Sequence, residues 1–112
     1  MTVNELVDEL GADAEIAFLA GDMNAEPDTP AMSFLRGDAE HDGETGTLHD
    51  LWLDGGDDDD GFTSPAEAPA RRIDFVYADR ETTAPSCTRF VTDAIDGLWA
   101  SDHLGVVCDV VW

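Results

Sequence analysis

Any compact fold open to this chain has to be assembled around carboxylates. Across 112 residues, 26 Asp and Glu stand against 5 Arg, lysine is absent, and the formal net charge is −21. In dilute salt such a density strains a compact state by self-repulsion, whereas at ~1 M salt the Debye length shrinks to roughly 3 Å and most of the repulsion is screened. Asp outnumbers Glu by 18 to 8, and the composition looks like that of a halophile's cytoplasmic protein. The acids are spread among apolar segments instead of forming one block, which argues against an acidic tail or a partner mimic. The same charge offers no basic groove to a nucleic acid.

The length suits a single domain, with room for one sheet and roughly two or three helices. Hydrophobic residues make up 43% of the chain and include three Trp, enough for a packed core. No stretch approaches the roughly 20 apolar residues of a membrane span, and the acidic start lacks the regions of a signal peptide. A soluble, cytoplasmic protein is expected. Cys87 and Cys108 are isolated, without CxxC spacing, and are expected as two buried thiols instead of a disulfide or metal ligands.

Asn4 to Leu10 carries Leu6, Val7 and Leu10 at helical spacing, with Asn4 as N-cap and Gly11 as stop. Glu15 to Ala20 reads as a buried strand cut off by Gly21. Asp28-Thr29-Pro30 resembles a capped helix start ahead of Met32, Phe34 and Leu35. Leu48 to Leu53 is periodic but short. Ile73 to Ala78, Cys87 to Thr92 and Gly105 to Trp112 read as strands, so helices and strands alternate in an α/β arrangement. Asp54 to Gly61 is a loop by composition; Asp58, Asp60 and Glu67 fall in register with a calcium loop, but Gly56 occupies its first ligand position. A solvated acidic loop is the better reading.

Three short strings carry the chemistry: Gly21-Asp22-Met23-Asn24 after an apolar run, Arg72-Ile73-Asp74-Phe75 opening another, and Ser101-Asp102-His103 before the last. Each sets acceptor-rich side chains at a strand end, where α/β enzymes assemble sites. Asp22 and Asn24, two residues apart, would in extended geometry point to the same side. A carboxylate accepts from an attacking water while the carboxamide beside it donates to a phosphate oxyanion. Asp102 and His103 add a hard oxygen ligand and an imidazole, and Asp74 on a neighbouring strand would hold that imidazole in one tautomer. Any one of these alone is equally well a turn, a solvated strand start or a polar loop.

Together and in this order, the strings resemble the endonuclease/exonuclease/phosphatase superfamily, which includes deoxyribonuclease I. The resemblance runs from about residue 4 to the end and rests on Gly21-Asp22-Met23-Asn24-Ala25 with Pro27, Arg72-Ile73-Asp74-Phe75 and Ser101-Asp102-His103. It implies phosphate-ester hydrolysis with Mg²⁺ or Mn²⁺. By the same resemblance Asp22 and Asn24 act at the scissile phosphate and Asp102 helps hold the metal. His103 acts on the phosphate or the attacking water, and Asp74 orients His103.

Leu104-Gly105 follows His103 where family members often have a residue and then Pro. The match covers only the C-terminal half of the family's domain, so a Glu ligand and further phosphate contacts from the first half have no counterpart. The implied fold is one mixed β-sheet with flanking helices, half of a two-sheet sandwich, forming a single partial domain over residues 1–112. Its uncovered inner face, expected to carry Phe18, Phe75, Tyr77 and Val107, would be met by a second copy in a homodimer or by a separate N-terminal half-domain. The expected activity is a Mg²⁺-dependent phosphoesterase, feeble alone. The alternative is a non-catalytic acidic binding module or remnant retaining the fold. Substrate choice among nucleic acid, phospholipid head group and sugar phosphate stays open.

Overall fold

The computed structural model describes residues 3–12, 14, 16–56, 60–79 and 83–111. Helix α1 (Val3–Gly11) leads into strand β1 (Phe18–Asp22), followed by α2 (Pro30–Leu35), β2 (His49–Asp50) and α3 (Leu51–Gly55). Strands β3 (Asp74–Ala78), β4 (Thr83–Phe90) and β5 (Gly105–Val111) complete the chain. The architecture is the expected α/β one. Its strands pair antiparallel in two ladders, β1-β3-β2 and the hairpin β4-β5, where a single mixed sheet was expected.

Strand β3 organises both layers of the core by its two-residue alternation. Phe75 and Tyr77 pack with Met32 and Leu35 of α2 and with Leu48, against Leu19 and Val7. Val76 and Ala78 turn the other way, onto Leu51 and Trp52 of α3 and onto Cys87, Val106, Cys108 and Val110 of the hairpin. Phe75 and Tyr77 are therefore 2% and 0% exposed, beneath α2, and not on an open face. Phe18 and Val107, expected beside them, are 45% and 49% exposed.

Other expectations shift when long-range pairing is seen. The strand after α1 begins at Phe18 and is exposed along most of its length; Glu15 lies outside the described residues. Asn4 falls inside α1 instead of capping it. Pro30 does open α2, but the Thr29 hydroxyl donates to Glu26 O at 2.8 Å and caps nothing. Cys87 and Cys108, expected as separate thiols, are joined in a disulfide, because the hairpin register sets them directly opposite each other. Asp58 of the acidic loop lies outside the described residues, while the loop's last glycine, Gly61, sits at φ 71 with its Cα against the Trp52 indole. A side chain at that position would collide with the ring.

A buried ion pair fixes the chain on either side of the site. Arg72 donates through Nη1 and Nη2 to Asp50 Oδ1 and Oδ2 at 3.1 and 2.8 Å. Asp50 also accepts Trp52 N–H, capping α3, and the Arg72 guanidinium lies 4.9 Å over the Phe75 ring. Among the described residues no helix is long and apolar enough to cross a membrane.

Candidate active site

Strand β1 ends on Asp22, whose own side chain shapes the turn that follows. Asp22 Oδ1 accepts the Asn24 backbone N–H at 2.8 Å, and Asn24 sits at φ 50, a left-handed conformation that Asn tolerates. The expected pair of extended prongs does not form, because strand geometry stops at Asp22. Met23 N–H donates to Ile73 O at 2.8 Å and ties this turn to the entry of β3.

Asp74 opens β3 directly opposite Asp22 in the ladder. Residues paired in this way point to the same face, and like charges so placed repel each other. His103 relieves that repulsion. Its Nδ1 lies 2.7 Å from Asp74 Oδ2, and its Nε2 lies 4.0 Å from Asp22 Oδ2. The first distance is a short charge-assisted hydrogen bond; the second exceeds hydrogen-bond length, so the two groups face each other without a direct bond. The Asp74 hydrogen bond raises the His103 pKa above its ordinary value. Desolvation opposes the shift, and the charges of Asp74, Asp22 and Asp102 add to it.

The loop carrying His103 is held by backbone bonds. His103 N–H donates to Ser101 Oγ at 3.1 Å, Ala66 N–H to Asp102 O at 2.7 Å and Leu104 N–H to Thr63 O at 2.8 Å. Thr63 belongs to none of the three strings. It is fully buried, and its Oγ1 donates to Asp74 Oδ2 at 2.6 Å, the same oxygen that faces His103. A single threonine eleven residues before Asp74, in a loop of Gly, Ser and Pro, has no periodicity to mark it.

Of the five residues singled out in the sequence, Asp22, Asp74 and His103 converge, with one ligand atom from each inside a 4.8 Å group. Asp102 is exposed and outside that group, near enough for its charge to act on His103. Asn24 is exposed and reaches Asp22 through its backbone. Asp74 Oδ2 already receives Thr63 and His103, so the half-exposed Asp22 carboxylate is the freer ligand. One or two carboxylates completed by water is a donor set that suits Mg²⁺. The residues fit a hard, water-completed cation.

A family model described as the Endonuclease/Exonuclease/phosphatase family matches residues 4–103. The chain belongs to the endonuclease/exonuclease/phosphatase family. That family is generally metal-dependent, in keeping with the acidic and imidazole cluster. Among solved structures, an endonuclease/exonuclease/phosphatase family protein from Leptotrichia buccalis C-1013-b is similar, with a TM-score of 0.62 and 16% sequence identity. At that identity the likeness is one of fold. The alignment covers 96% of this chain and 40% of that one, so the chain spans well under half the length of its structural relative. A search of curated proteins finds no match.

Proposed function

We propose that the chain carries the His-Asp half of a metal-dependent phosphoesterase site, in which His103 handles a proton at the phosphate. The observation that carries this reading is the 2.7 Å contact between His103 Nδ1 and Asp74 Oδ2, with Nε2 turned toward Asp22 across 4.0 Å. Because Nδ1–H is committed to Asp74, proton exchange with a substrate or water oxygen falls to Nε2. The raised pKa keeps His103 protonated to higher pH, which suits donation to a leaving oxygen or to a phosphoryl oxyanion. Asp74 orients the ring and stabilises its charged form, the role of the carboxylate in a catalytic triad. Asn24, at the turn, is assigned to the phosphate, its carboxamide being the donor that Asp22 lacks.

Asp22 and Asp102 would hold Mg²⁺, which when bound supplies Lewis-acid stabilisation of phosphoryl charge. The remaining ligands are assigned to a separate N-terminal half-domain, in keeping with the 40% coverage of the structural relative. An imidazole held at 2.7 Å by one carboxylate and facing a second favours proton handling over a pure binding module. The test is hydrolysis of a phosphodiester panel with Mg²⁺ in molar KCl, by this chain alone and with the complementary half added. Weak turnover alone, strengthened by the second half and lost in Asp22→Ala, is the expected result.

A further inference from the structure

Beside the His103 loop two hollows of about 330 and 480 Å³ share Ala66, Glu67 and Trp99 as a common wall, and the pair is referred to as the trough. The first reaches Ser101 and Asp102; the second extends past Phe62 to Arg89 and Leu104. Their walls are fixed by the bonds that seat His103, namely Ala66 N–H to Asp102 O and Leu104 N–H to Thr63 O. Arg89 Nη1 closes the far end by donating to Phe62 O at 3.0 Å. The same main-chain bonds hold the trough in register with the site, a condition that lowers the ordering cost of binding.

Its chemistry is selective. Trp99 is half-buried between the two hollows and offers an indole for stacking. Glu67, Asp102 and Asp60 border the trough with carboxylate acceptors, so a ligand has to bring the donors. A polyanion would meet these carboxylates and a chain of net charge −21 with no basic track to follow. Either hollow is within the size range of small-ligand sites.

We infer that this trough binds the organic part of a small phosphate ester, an uncharged ring bearing hydrogen-bond donors, stacked on Trp99. Nucleobases and sugars share that chemistry. The position of the phosphate rests on the phosphoesterase reading above, whereas binding of the ring does not. The experiment follows, by NMR in molar KCl without Mg²⁺, the Trp99 indole N–H, identified through Trp99→Phe, together with the backbone N–H groups of Ala66 and Leu104, which persist in every variant. The probes are adenosine, methyl glucoside, choline and a short DNA duplex. A saturable shift with adenosine or with methyl glucoside is expected, and whichever acts names the source of the ring. Affinity should fall about tenfold or more in Trp99→Ala and stay within about threefold in Trp99→Phe. Asp22→Ala should bind the ring as the wild type does, so loss of the phosphoesterase reading would leave this result standing. The wild-type shift decides the matter even if Trp99→Ala does not fold. No response to either ring, an equal response to choline or duplex, or undiminished binding in a folded Trp99→Ala would overturn the proposal.

Discussion

Asp74 and His103, 29 residues apart in sequence, meet at 2.7 Å through Oδ2 and Nδ1. One partner opens a strand and the other lies in the loop before the last strand, so only the assembled fold brings them together. Because this contact is the first cause of the raised His103 pKa, Asp74→Asn should bring the imidazole back toward its ordinary value, measured by NMR titration of the His103 ring. The sign for stability follows from the raised pKa. The pair's contribution is complete below the unfolded-state pKa of about 6.5 and is lost as pH rises through the higher folded value. Melts across that window should show the loss in wild type and a flatter profile in Asp74→Asn.

Thr63 is a positioning residue for the same pair. Thr63→Val keeps the shape and removes the hydroxyl that donates to Asp74 Oδ2. The lost bond should cost about 1 kcal/mol of stability. With that donor gone, the Asp74 charge is directed more fully at His103, and the His103 pKa should rise further. Thr63→Ser should restore the wild-type titration. An unchanged titration in Thr63→Val would reduce Thr63 to a packing role.

The Asp50–Arg72 pair should dominate single-site stability. Both side chains are almost fully buried, and Asp50 also caps α3. Asp50→Ala strands a buried guanidinium, a loss of about 3–5 kcal/mol from a domain stability of about 5–15 kcal/mol. Urea unfolding would read it directly. A loss under about 1 kcal/mol would mean that Arg72 finds water or another partner.

Salt should stabilise the fold. With net charge −21 and no lysine, the melting temperature is expected to climb from about 0.1 M to a few molar KCl as repulsion is screened. A flat or falling curve across that range would rule out the halophilic reading.

Three residues of the candidate site, Asp22, Asp74 and His103, were legible because they sit in contiguous strings beside strand ends. Arg72-Ile73-Asp74-Phe75 announced both the strand and its acid, and Ser101-Asp102-His103 announced the loop before β5. What stayed hidden depends on pairing at a distance. Thr63 acts through contacts to Asp74 and Leu104, and Cys87 finds Cys108 only through hairpin register. The burial of Phe75 and Tyr77 is settled by where α2 lands. At Asn24 the two-residue spacing implies an extended chain, whereas an aspartate that accepts from the backbone two residues ahead curls it instead.

The central claim is that His103 handles a proton at a phosphate held near Asp22. The most direct measurement is Mg²⁺-dependent hydrolysis of a simple phosphodiester in molar KCl by this chain together with the N-terminal half-domain proposed above, comparing wild type with His103→Ala. A general acid at this position predicts a fall in turnover of about 10²- to 10⁴-fold, with His103→Ala still folded by circular dichroism. Turnover undiminished in His103→Ala, or none from the reconstituted wild type, would contradict it.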